Sequence, residues 1–114
     1  MNNDYGNELI VTIVKRGWSH TVVDAARKAG AEGATILFGR GSGINEVKTL
    51  LGITIEPEKE IILTVVGAER TDAVLDAILA AGELDRPGMG MAFVVPIRRV
   101  AGRVHMFRKN GGDK

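Results

Sequence analysis

The sequence contains no cysteine, which excludes a disulfide framework, thiolate catalysis and a zinc ribbon. The remaining soft metal ligands are His20 and His105. They stand far apart in the chain, so no metal site is expected. Aromatic residues are scarce at 4%, and no pair of them falls in the central strands where RNA bases would stack. Neither sign of charge dominates: 15 Lys+Arg face 14 Asp+Glu, a formal net charge of +1. That balance leaves no electrostatic footprint for nucleic acid or for a membrane surface. No apolar run approaches the roughly 20 residues that span a bilayer, so direct membrane insertion is not expected. The first run, Leu9–Val14, is also too short for a signal-peptide core and follows Asp4 and Glu8. The cytoplasm is the expected location.

What is present reads as one globular domain over residues 1–114, 45% hydrophobic and 25% charged, with a frayed tail from about 108 to 114. Leu9–Val14 is a nearly continuous β-branched run, the pattern of a strand buried on both faces. From Ser19 the period changes. Val22, Val23, Ala25, Ala26 and Ala29 make the apolar stripe of a helix, with Ser19 as N-cap and Gly30 just past the end. Ala34–Phe38 reads as a second strand and Glu60–Val66 as a third. Thr71 is placed to cap a second helix, with Val74, Leu75, Ile78 and Leu79 as its stripe and Gly82 as its stop. Met91–Ile97 is the fourth strand, and Arg98–Phe107 alternates loosely enough to add an edge strand.

Two βαβ halves joined by a long connection predict a ferredoxin-like α+β domain, βαββαβ, with both helices on one face of a four-stranded antiparallel sheet. Thr12 and Thr64 are the only polar side chains in the two central runs besides Glu60. A face that apolar is expected to meet other copies of the chain, in a homo-oligomer closed by symmetry. Within the connection, Ile44, Val47, Leu50 and Leu51 have helical spacing, so a short helix is expected there. A loop of that length in a small domain makes a candidate effector surface. Glu56, Glu58 and Glu60 alternate and read as a solvated face, and Trp18 reads as a packing residue.

Two glycine-dense turns stand out. Gly39-Arg40-Gly41-Ser42-Gly43 follows the second strand and Gly88-Met89-Gly90 precedes the fourth. Glycine lets backbone N–H groups approach a ligand with no Cβ between, so the pair suggests an anion site built from main chain. Neither turn has the dinucleotide-binding spacing. No Ser-His-Asp grouping, paired carboxylate site or Walker sequence is present, and an enzyme is not expected. An acylphosphatase-type site on this topology would have only Arg16 and Asn45 to work with.

Taken in order, Gly33–Gly41, Ile55–Leu63 and Gly88–Ile97 resemble three signature stretches of the P-II signalling family: the second strand running into the T-loop, the return strand, and the B-loop with the strand after it. The resemblance implies a homotrimer with inter-subunit clefts for ATP or ADP. It also implies a loop, about residues 40–58, that docks onto a membrane transporter or a metabolic enzyme. The implied nucleotide-binding residues are Thr35, Phe38, Gly39, Arg40, Gly88, Met89, Gly90 and Arg103; Ser42, Ile44, Val47 and Leu50 are the implied partner contacts. No cofactor beyond the nucleotide effector is implied. The departures are specific. The B-loop lysine expected after the second glycine is Met91. The glutamine that helps hold magnesium and 2-oxoglutarate is Gly41. The two arginines expected near the end fall on Gly102 and Val104, leaving Arg98, Arg99 and Arg103 as the nearby cations. The only tyrosine is Tyr5, so tyrosine modification of the loop is excluded. A trimeric interaction module that has lost ligand binding is the alternative that these departures favour.

Overall fold

The computed structural model describes residues 6–43 and 48–102. In chain order the elements are β1 (Asn7–Lys15), α1 (Ser19–Lys28), β2 (Thr35–Arg40), β3 (Lys48–Leu50), β4 (Ile53–Ile55), β5 (Glu58–Gly67), α2 (Thr71–Ala81) and β6 (Gly90–Ile97). Alternation decides how they stack. In β1, Ile10, Thr12 and Val14 are buried while Leu9, Val11 and Ile13 are only half-buried; β5 repeats the pattern with Ile62, Thr64 and Val66 inside. The two strands pair antiparallel along their whole length, Ile10 opposite Thr64 and Thr12 opposite Ile62. Flanked by β2 and β6, they form an antiparallel sheet in the order β2-β5-β1-β6. This is the expected ferredoxin-like arrangement.

Both helices cover one face. Val22, Val23 and Ala26 of α1 and Val74 and Ile78 of α2 join Ile10, Val14, Ile62 and Val66 in a single core, with Trp18 packed against it. Burying side chains of this size stabilises by about 1.5–3 kcal/mol each. Thr12 and Thr64 lie on the same face with buried hydroxyls that have no hydrogen-bond partner. The opposite face carries Leu37, Met91, Phe93 and Val95, all exposed. One chain therefore buries one side of its central strands, not both.

The helix ends differ from expectation in instructive ways. Trp18, not Ser19, holds the N-cap position of α1, and no side chain of its own caps the helix. The cap comes from across the fold: the Ser19 N–H donates to Glu60 Oε1 at 2.9 Å. Glu60 is thus buried and is not part of a solvated face. At the other end, Gly30 has φ +121°. The Ala31 N–H bonds to the Ala26 carbonyl at 2.9 Å and the Gly30 N–H to that of Arg27 at 3.0 Å, a Schellman stop. In α2, Thr71 is the first helical residue rather than the cap, and its hydroxyl donates to Glu8 Oε1 at 2.6 Å. Gly82 ends α2 in an ordinary helical conformation; the left-handed residue after it is Glu83, with φ 54°.

Among its described residues the long connection holds a hairpin where a helix was expected. β3 and β4 pair antiparallel, Leu50 opposite Ile53. Leu51 and Gly52 between them both have positive φ, 53° and 82°, the signature of a type I′ two-residue turn. β-branched Ile53-Thr54-Ile55 and the turn chemistry override the helical spacing of the leucines. Ile44 and Val47 lie outside the described residues. After β6, residues 98–102 form no strand. The rest of the expected edge strand, Arg103 included, and the expected frayed tail lie outside the described residues.

Candidate functional site: a cleft between the two glycine turns

β2 runs parallel to β1 and β6 antiparallel to it, so the end of β2 and the start of β6 lie at the same end of the sheet. Three strand spacings separate them, about 14 Å. On the open face between them lies a cleft of about 440 Å³. Its walls are Gly39 to Gly43 on one side and Gly88 and Gly90 on the other; Ile13, Ile61 and Met91 form an apolar floor. The floor follows from register, because Leu37, Ile61, Ile13 and Met91 are successive partners across the four strands.

The two turns are glycine-rich for different reasons. A Cβ on Gly90 would lie 2.1 Å from the Ile13 carbonyl oxygen, at φ +139°, so the start of β6 can approach β1 only as glycine. Gly88, at φ +82°, has nothing within 4 Å of where its Cβ would be. The Met89 side chain is buried and its N–H already donates to the Arg86 carbonyl at 3.2 Å. The Gly41 N–H likewise donates to the Pro57 carbonyl at 3.1 Å. The main chain thus has fewer free donors here than the glycine count suggests.

Side chains add the charge. Arg40 and Lys59 line the cleft, and among the described residues no carboxylate does. Lys59 stands opposite Gly39 on one side and Lys15 on the other. Like charges directly opposite on neighbouring strands repel, a field that favours an anion nearby. Sequence reasoning did not single out Lys59. The signal was there: two residues before Ile61 on a strand, it shares that residue's face. A second hollow of about 410 Å³ adjoins the cleft and shares Gly39, Arg40 and Lys59 with it. Arg16, Phe38 and Glu58 complete it, and Arg16 Nη1 lies 2.8 Å from Glu58 Oε1.

Of the expected nucleotide contacts, Gly39, Arg40, Gly88 and Gly90 line the cleft, with Ser42 of the expected loop contacts beside them. Thr35 is exposed on the same strand four residues earlier, about 13 Å away. Phe38, 77% exposed, lines only the neighbouring hollow. Leu50 ends β3 in the hairpin, opposite Ile53. Among the described residues no group of three or more His, Cys, Asp or Glu could hold a metal ion.

Below this site, Glu60 faces the helices. Burial pushes its carboxyl up. The Ser19 hydroxyl and the Gly17 and Ser19 N–H groups, with His20 nearby, outweigh that and hold it below its usual value.

The structure is thus a ferredoxin-like sheet with both helices on one face and, on the other, a cleft between the two glycine turns. The model of the nitrogen regulatory protein P-II family matches residues 7–104. The chain belongs to that family of signalling proteins. No curated protein matches it in sequence. Among solved structures, the crystal structure of Arabidopsis thaliana PII bound to citrate is similar, with a TM-score of 0.66 and 23% identity over 83% of this chain and 80% of that one. No helix among the described residues is long and apolar enough to cross a membrane.

Proposed function

We propose that this chain is a single-domain sensor of adenine nucleotides that regulates a membrane transporter or metabolic enzyme in the cytoplasm through residues 41–58. The observation that carries the reading is the meeting of both glycine turns with Arg40 and Lys59 at one cleft. Arg40 and Lys59 would hold phosphate oxygens, Gly88 would offer main chain, and Ile13, Ile61 and Met91 would lie under an apolar body such as the base. The open face of the sheet would be covered by two further copies in a homotrimer, bringing Thr35, Phe38 or Arg103 of one copy toward the cleft of another. A small oxyanion on this fold has a precedent in the citrate of the Arabidopsis protein.

Ligand binding that favours one arrangement of the loop would shift partner affinity by the difference between the two arrangements. Calorimetry with ATP, ADP and AMP tests this. The expected result is saturable binding of at least one of them; no heat from any of the three at millimolar ligand overturns it. The second reading, a trimeric interaction module without a ligand, is favoured by apolar Met91 standing where the family lysine is expected. Under it, no nucleotide would raise the melting temperature.

A further inference from the structure

We propose that Arg16 is an oxyanion-binding residue of this site and that Glu58 occupies it as an internal competitor when no ligand is bound. The inference rests on the reading of the cleft as an anion site and adds a residue and a coupling to it. Four observations carry it. The Glu58 carboxylate sits on the Arg16 guanidinium at 2.8 Å, showing that an oxyanion fits there. Both side chains are exposed, 76% and 60%, so the pair is bathed in water and weak enough to exchange. The hollow holding them shares Arg40 and Lys59 with the cleft, so the two sites are contiguous. An anion bound at Arg40 and Lys59 has Arg16 as its next cation.

The fourth observation concerns what letting go of Glu58 would do. Glu58 is the first residue of β5 and follows Pro57, whose carbonyl accepts the Gly41 N–H at 3.1 Å. Glu58 also stands opposite Arg40, the last residue of β2. These contacts close the neck of the loop that carries the β3–β4 hairpin. A ligand that takes Arg16 releases the Glu58 side chain beside this neck, and by reciprocity a partner that draws Glu58 away from Arg16 raises ligand affinity.

The test is a double-mutant cycle read by ADP calorimetry on wild type, Arg16→Ala, Glu58→Gln and the double variant, with Glu56→Gln as a control for charge alone. Both residues are on the surface, and matched melting temperatures check that the variants fold. Glu58→Gln is expected to tighten ADP about two- to fivefold, the range of an exposed ion pair. Arg16→Ala is expected to weaken it, and Glu58→Gln to add nothing in the Arg16→Ala background, while Glu56→Gln changes little. Equal tightening by Glu58→Gln with and without Arg16 overturns the inference while leaving the cleft intact. No ADP binding to the wild type overturns the inference together with the nucleotide reading.

Discussion

The two faces of the sheet are built from the same kind of residue and finished to different degrees. Ile62 and Ile61 are neighbours in β5. The first is fully buried under the helices, the second half-buried on the open face. Val94 packs against the core while Phe93 and Val95 beside it are exposed. On the helix side the chain completes its own packing and tolerates two partnerless hydroxyls. On the open side it leaves apolar surface, with Lys59 and the glycine turns at one end. The covered face holds the fold, and the uncovered face is where we propose that other molecules act.

Substitutions on each face test that division. Ile62→Ala removes a fully buried side chain and is expected to cost about 2–5 kcal/mol in denaturant unfolding. A loss well under 1 kcal/mol would mean the covered face is not a packed core. Glu60→Ala strips the first turn of α1 of its acceptor and is expected to cost about 1–3 kcal/mol.

The pH dependence of that cap has a definite sign. The Glu60 carboxyl is held below its usual value when folded. Its contribution is therefore present above the unfolded pKa, roughly 4.3, and lost as pH falls through the lower folded value. The stability gap between wild type and Glu60→Gln should be constant near neutrality and close below about pH 4. A gap that widens with acid would contradict the assignment.

Thr12→Val replaces a buried, partnerless hydroxyl with a methyl and is expected to stabilise by about 1 kcal/mol, read as a raised denaturant midpoint. Phe93→Ser, on the open face, should disturb the fold of a single chain least of all. Its expected effect is on association: sedimentation at micromolar concentration should show the wild type as the proposed trimer and the variant dissociated.

Most of the fold was legible because each strand and helix carries its own period. The strand runs and both helix stripes were placed within a few residues, and the βαβ order supplied the sheet. What was not legible depended on distant residues. Glu60 reads as a solvated glutamate until β5 is seen to begin under the α1 N-terminus. The leucines at 50 and 51 read as helical until the two positive φ angles at Leu51 and Gly52 fold the segment back. The site was half legible: the glycine turns announced themselves, whereas Lys59 needed the register of β5 against β2. Gly90 stood out in the sequence as a turn glycine, and the structure adds a second reason for it, the close approach to Ile13.

The central claim is that the two glycine turns wall one nucleotide site. Titrating ADP into ¹⁵N-labelled protein and following the glycine amides tests it directly. The account predicts that Gly39, Gly41, Gly88 and Gly90 shift together with one affinity, while Gly67, at the other end of β5, and Gly82, at the end of α2, stay still. Shifts confined to one turn, shifts centred on Gly67 or Gly82, or no shifts at millimolar ADP would contradict it.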